Sequence, residues 1–363
     1  MPERESQYKK IVKYIKEEVA DGHLKQGDKL PSEKVLCQRF HLSRQTIRHA
    51  TGELESEGII TRVRGSGSYV GKRQLVSRPR YMSVAVMLTY VDNYIFPPVV
   101  RGISSVLDQN GYSMQISFTD KSVLREEQIL KNLIENDNID ALIAEPSKGA
   151  LPNPNLNYYE ILRERQIPVL FINAAYPGLD CPCVRLDDEK IAYDAVMELV
   201  KRGHREIGGI FQCEDAQGIY RYMGYCQALK EVGIPVDPKR VIWLDTIAIQ
   251  NITPLIGYIR DRLGDATAVL AYNDELASQL MKDLLGLGLH LPEDLSIISI
   301  DDADLAKNTQ PALTTYPHPK EELGRRAGEK VIQMIQGSME KEDELFDSHL
   351  IDRESVRDMR KGK

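Results

Sequence analysis

Within the six positions from Ser43 to Arg48 stand Ser43, Arg44, Gln45, Thr46 and Arg48. An arginine fork matches guanine O6 and N7 or a phosphate, and hydroxyls and amides reach phosphates and base edges. Such a cluster reads DNA if it occupies the first turns of a helix that enters a groove. Asp187-Asp188 and Asp301-Asp302 offer acid and base, but neighbours on a strand end point in different directions. No P-loop, nucleophile elbow or His-Glu-x-x-His spacing occurs. Cys181-Pro-Cys183 lacks the second pair or histidine cluster of a zinc site. Five cysteines (37, 181, 183, 213 and 226) at irregular spacing argue against a disulfide framework. Recognition is expected, with no catalytic residue, metal or cofactor.

The elements around the cluster suit that chemistry. Tyr8, Ile11, Val12, Ile15 and Val19 recur at helical spacing until Gly22. Pro31-Ser32 starts a second helix with Val35, Leu36 and Phe40 on its inner face. Ser43 caps a third that turns Ile47, Ala50 and Leu54 inward and stops at Gly58. Two short strands, 59–63 and 68–70, flank the turn Arg64-Gly65-Ser66-Gly67. Three helices and a basic hairpin make a winged helix-turn-helix over residues 1–71.

Residues 72–80 lack hydrophobic periodicity and read as a linker. From 81 to 363 apolar strands alternate with amphipathic helices, with strands expected at 82–89, 112–118, 139–144, 168–172, 207–211, 241–244, 268–272 and 295–300. That alternation calls for parallel sheets covered by helices, and so for two doubly wound subdomains with a cleft between them. The fold class is α/β. Trp243, the only tryptophan, falls on a strand and is expected in the core.

Charge divides the same way. Residues 1–73 hold 15 Lys/Arg and 10 Asp/Glu, whereas the whole chain is at −7, so a basic head precedes an acidic body. Only the head is expected to meet a polyanion. The charged opening is no signal peptide and no apolar run is long enough to span a bilayer, so a cytoplasmic protein without membrane contact is expected.

The stretch from Leu30-Pro-Ser-Glu-Lys34 through Ser43-Arg-Gln-Thr-Ile-Arg48 to Arg64-Gly-Ser-Gly-Ser-Tyr-Val70 closely resembles the head of the GntR family. The resemblance assigns Ser32, Lys34, Ser43, Arg44, Thr46, Arg48, Arg64 and Gly65 to DNA, and Gln45 joins them from its place in the cluster.

Residues 81–356 resemble the effector domain of the LacI/GalR family, which is similar to periplasmic sugar-binding proteins. The matching stretches are Arg202-Gly-His-Arg-Glu-Ile207, Arg221-Tyr-Met-Gly-Tyr225, Ala271-Tyr-Asn-Asp-Glu-Leu-Ala277, Leu291 to Asp302, and Gln310-Pro-Ala-Leu-Thr-Thr315. Ser299 stands where that family usually has glycine. A GntR head on such a body, with Asn93 to Gly102, Leu142 to Lys148 and Asp215-Ala-Gln-Gly218, resembles the arabinose-responsive repressors of Gram-positive bacteria.

The resemblance implies a sugar cleft lined by Tyr94, Phe96, Glu145, Asn173, Arg221, Asn273, Asp301 and His318, with Lys148, Asp215 and Gln217 as weaker additions. Sugar hydroxyls each donate and accept, and the C–H face of the ring packs on an aromatic. Arg221 is expected to open a helix just after a strand-end loop. His318 is expected on a crossover between subdomains, with hinge and ligand roles both open. The function implied is a homodimeric repressor of sugar-utilisation genes, bound to double-stranded operator DNA and released by a sugar, expected to be L-arabinose. Another pentose, a hexose or a nucleoside is the alternative.

Overall fold

The computed structural model describes residues 7–25, 27–63, 67–70, 80–90, 94–337 and 342–361. The chain divides into two compact units, Met1–Arg80 and Tyr81–Lys363. The wing-tip residues Arg64 and Gly65 and positions 72–79 of the expected linker lie outside the described residues.

In the first unit α1 (Gln7–Ala20), α2 (Glu33–Phe40) and α3 (Arg44–Ser56) precede β1 (Ile60–Val63) and β2 (Gly67–Val70). The strands pair antiparallel, Ile60 opposite Val70, and Lys29 adds a bridge to Tyr69. Ser32 and Ser43 cap α2 and α3, their hydroxyls accepting from the N–H groups of Val35 and Thr46. Ile11, Ile15, Leu36, Ile47, Ala50 and Leu54 close the core. Val35 does not join them. It is 47% exposed, because Leu36, one position on, takes the inner face of this two-turn helix.

The second unit holds two parallel sheets. The first subdomain contains β3 (Ser83–Leu88), α4 (Phe96–Gln109), β4 (Ser113–Phe118), α5 (Val123–Asn136), β5 (Ala141–Ala144), α6 (Leu156–Glu164), β6 (Val169–Ile172) and β7 (Cys183–Leu186). The second contains α7 (Asp188–Lys201), β8 (Ile207–Gln212), α8 (Ala216–Glu231), β9 (Val241–Leu244), α9 (Thr246–Gln250), α10 (Ile256–Leu263), β10 (Ala268–Ala271), α11 (Asp274–Gly286), β11 (Ser296–Asp301) and β12 (Thr314–Pro317). The chain then returns to the first through α12 (Lys320–Ile335) and β13 (Glu344–Phe346). Strand orders are β13-β7-β6-β5-β3-β4 and β12-β11-β10-β8-β9.

Strand alternation sorts side chains to opposite faces. Val84, Val86 and Leu88 pack with α4 and α12, while Ala85 and Met87 pack with α5 and α6. In the second sheet Leu270 joins α7 and α8, while Val269 and Ala271 join α10 and α11. Two helix pairs cross without intervening side chains. A Cβ on Gly324 would meet the Val99 carbonyl oxygen at 2.1 Å, one on Gly102 the Glu321 oxygen at 2.1 Å, and one on Gly224 the Glu189 oxygen at 2.0 Å.

Three strands escaped the sequence reading. The β7 strand carries a charge at Arg185, β12 is Thr-Thr-Tyr-Pro, and β13 has only three residues at a sheet edge. Trp243 also departs from expectation. It lies on the edge strand β9, 39% exposed, with its ring against Phe211 and Tyr222. No helix among the described residues is long and apolar enough to cross a membrane.

Candidate functional site

On the head, Lys34, Arg44, Gln45 and Arg48 are exposed and Thr46 is half-buried. Arg44 and Arg48, four apart on α3, share one helix face. Arg48 is 70% exposed, and its Nε donates to Glu33 Oε1 at 3.3 Å, which ties α3 to α2 while leaving the guanidinium at the surface. The Ser43 hydroxyl lies 2.9 Å from that of Thr46. Ser32 and Ser43 thus shape the starts of the two helices.

In the body the C-terminal ends of both sheets turn toward one cavity of about 120 Å³. Such strand ends, where β3 parts β5 from β4 and β8 parts β10 from β9, are where open α/β sheets bind ligands. Tyr94, Phe96, Glu145, Asn173, Asp215, Gln217, Arg221, Asn273, Asp301 and His318 all line it, and Lys148 does not. Phe96 begins α4, whose next residues Pro97 and Pro98 have no N–H to leave unpaired. Asn273 caps α11 through Oδ1, leaving its NH₂ as the donor group. Asn173 and Asp301 have φ of 63° and 120°, conformations that strain a residue with a side chain.

Arg221 sits in the second turn of α8 rather than at its start, because the helix already begins at Ala216. It is 4% exposed. Its Nε and Nη2 both lie 2.8 Å from Asp188 Oδ1, its Nη1 donates to the Tyr272 carbonyl, and Asp301 Oδ1 is 3.7 Å from Nη2. Two carboxylates thus share one guanidinium. Burial pushes the Asp188 carboxyl up to about 6 against the pull of Arg221, and it raises Asp301 as well. Tyr94 donates to Asp301 Oδ2 at 2.6 Å across the cleft; burial and that carboxylate hold its phenol protonated. Asp274, behind the wall, accepts from Ser299, Thr315 and the N–H of Ala303, and burial lifts it to about 7. Ser299 therefore supplies a hydrogen bond that a glycine there lacks.

The Lys148 amine instead pairs with Glu214 Oε1 at 2.5 Å, and Ala150 N–H donates to the Glu214 carbonyl at 3.1 Å. Beside this pair Lys121 binds Asp215, which also accepts from Tyr272 O–H at 3.0 Å. Two lysines of the first subdomain thus bridge the cleft to consecutive carboxylates of the second. Burial opposes ionisation of Glu214, but hydrogen bonds from Lys148 and Thr246 bring it down to about 2. The segment carrying Lys148 is fixed from beneath by Glu126, a buried carboxylate accepting from Asn153, Asn155, Tyr159 and Tyr176.

Lys121, Asp188, Gln212, Thr246 and Tyr272 line the cavity and escaped the sequence reading as ligand residues. Two signals are present in the sequence: Asp188 belongs to the Asp187-Asp188 pair, and Tyr272 adjoins Asn273 in a matched stretch. Arg202 and His204, by contrast, serve packing: His204 Nδ1 is 2.9 Å from Thr267 Oγ1, and Arg202 pairs with Glu198 and Asp352. Among the described residues no group of three or more His, Cys, Asp or Glu is placed to hold a metal, and all five cysteines are free thiols.

A winged helix-turn-helix joined to a two-subdomain body with a polar cleft defines a ligand-responsive transcriptional regulator. Residues 7–70 match the bacterial regulatory proteins of the gntR family, and residues 196–356 match the periplasmic binding protein-like domain. The chain belongs to the same family as the arabinose metabolism transcriptional repressor of Geobacillus stearothermophilus. The two are 36% identical over 348 residues, covering 94% of this chain and 95% of that one. Its counterpart in Halalkalibacterium halodurans is 34% identical over 92% of this chain and 90% of its own length. The transcription regulator CcpA of Lactococcus lactis, 23% identical, shares the fold over 76% of this chain and 99% of its own, with a TM-score of 0.68. The protein is a DNA-binding transcriptional repressor.

Proposed function

We propose that this repressor controls sugar-utilisation genes and is released from its operator by L-arabinose bound in the body's cleft. The observation that carries this reading is the convergence of ten expected sugar-binding side chains on one cavity. Their chemistry suits a neutral polyol. Carboxylates and amides can pair each hydroxyl, Phe96 offers a ring to a C–H face, and Arg221 is already neutralised by protein carboxylates. The two similar repressors whose names refer to arabinose metabolism favour that pentose.

The protein acts by binding, without catalysis, in the cytoplasm. As a homodimer it presents two α3 helices to a two-fold operator, with Ser32, Lys34, Ser43, Arg44, Gln45, Thr46, Arg48, Arg64 and Gly65 at the DNA. Sugar stabilises the closed cleft, the closed dimer fits the operator less well, and linkage requires that operator DNA weaken sugar binding by the same factor. Calorimetric titration of the full chain against L-arabinose, D-xylose, D-ribose, D-galactose and a nucleoside tests it. L-Arabinose should bind tightest and release operator in a gel shift. Equal or tighter binding of another compound moves the assignment to that compound.

A further inference from the structure

Asp301 and Asp302 follow one another with φ of 120° and 45°, conformations that a residue with a side chain keeps only when its surroundings hold it there. Both carbonyls are held by the same amine. The Lys320 ammonium donates to the Asp301 carbonyl oxygen at 2.5 Å and to that of Asp302 at 3.0 Å. The His318 N–H also donates to the Asp301 carbonyl, at 3.1 Å. With the backbone pinned, the two side chains part. The Asp301 carboxylate enters the cleft between Tyr94 and Arg221, whereas Asp302 Oδ1 pairs with Arg353 at 2.6 Å.

Lys320 stands where helix electrostatics disfavours it. It is the first residue of α12, so its charge opposes the positive end of that helix dipole. Among the described residues it forms no ion pair with a carboxylate, and the acceptors of its amine are the two carbonyls of the strained pair. It is half-buried and is not part of the cavity wall, to which Asp301 belongs. Its helix packs on α4 of the first subdomain, while Asp301 ends β11 of the second.

We propose that Lys320 is a positioning residue of the sugar site. From α12 it holds the backbone of residues 301 and 302 in the conformation that aims the Asp301 carboxylate into the cleft. It acts through Asp301 and touches no ligand itself. This deepens the reading of Asp301 as a sugar ligand and rests on it.

The test is calorimetry of the full chain, as parent, Lys320→Met and Lys320→Arg, with L-arabinose or whichever sugar of the panel binds the parent tightest. Methionine keeps an unbranched stem without the ammonium, and arginine keeps charge and donors. Lys320→Met should lose roughly tenfold in affinity, the scale of one hydrogen bond to a charged group, and Lys320→Arg should recover most of it. Parental affinity in Lys320→Met, or an equal loss in both variants, overturns the proposal and leaves the sugar assignment standing. Failure of every sugar to bind the parent removes both.

Crystal structures of the unliganded parent and of Lys320→Met read the position directly. The parent should hold residues 301 and 302 at positive φ. In the variant at least one of them should relax to negative φ, with the Asp301 carboxylate withdrawn from Tyr94 and Arg221. Negative φ at both residues of the parent, or an unmoved carboxylate in the variant, overturns the proposal whatever the affinities are.

Discussion

Among the described residues, Arg221 is the only cation within ion-pairing distance of two buried carboxylates, Asp188 and Asp301, 1% and 3% exposed, and replacing it by alanine removes it. Truncating one partner of a buried pair leaves an uncompensated charge and costs about 3–5 kcal/mol. For a body of this size that lowers the melting temperature by on the order of 10 °C. The carboxyls respond by holding protons. Asp188 is already raised to about 6 by burial, and without Arg221 it rises further. A group whose folded pKa exceeds its unfolded value contributes stability below the unfolded pKa and loses it as pH rises through the folded one. The deficit of Arg221→Ala should therefore be larger at pH 8 than at pH 5.5. Differential scanning calorimetry at the two pH values measures it, and gel shifts below the melting temperature should find operator binding retained and sugar-driven release lost. A melting temperature equal to the parent's, or a deficit independent of pH, refutes the assignment of Arg221 as the counter-ion of this pair. Release at the parent's sugar concentration refutes its place in the site.

Lys148→Ala and Glu214→Gln, which break a bridge across the cleft, should each weaken sugar binding severalfold. In a double-mutant cycle followed by calorimetry the two should be non-additive by about 0.5–3 kcal/mol. Arg48→Ala should abolish preference for operator over random DNA in gel shifts while sugar affinity stays at the parent value, and parental binding of the isolated head fragment should fall steeply with salt. Gly324→Ala drives a methyl into the Val99 carbonyl and should destabilise the body by about 1–3 kcal/mol in denaturant unfolding, with sugar affinity unchanged in the folded fraction.

Much of this was legible in the residues because the signals are local. The helix start at Ser32, the cap at Ser43, the stop at Gly58 and the apolar run of β3 each declare themselves within a few positions. The short strands β7, β12 and β13 did not, since parallel pairing with distant partners holds them in place. Trp243 was misjudged because strand membership does not tell an edge strand from a central one. In the cleft, residue types at strand ends were readable through the family register, but partnership was not. That Lys148 reaches Glu214, or that Asp188 rather than a ligand takes two nitrogens of Arg221, depends on contacts 66 and 33 positions apart.

The glycine crossings bear on how the repressor would vary in a population. Where α4 meets α12 and α7 meets α8 backbone to backbone, neither pair has room for an added side chain, and any opening of the cleft would fall to the three crossovers between the subdomains: 186–188, 317–320 and 346–351, the last running from β13 to the bridge of Ile351 with Thr315. Substitutions at these glycines change how many molecules fold. Substitutions at the crossovers change the sugar concentration at which a folded molecule lets go. Genetic screens for altered induction threshold should therefore cluster in these short segments, where Leu186, Asp188 and His318 also belong to the cavity wall. Screens for loss of repression should scatter through the cores.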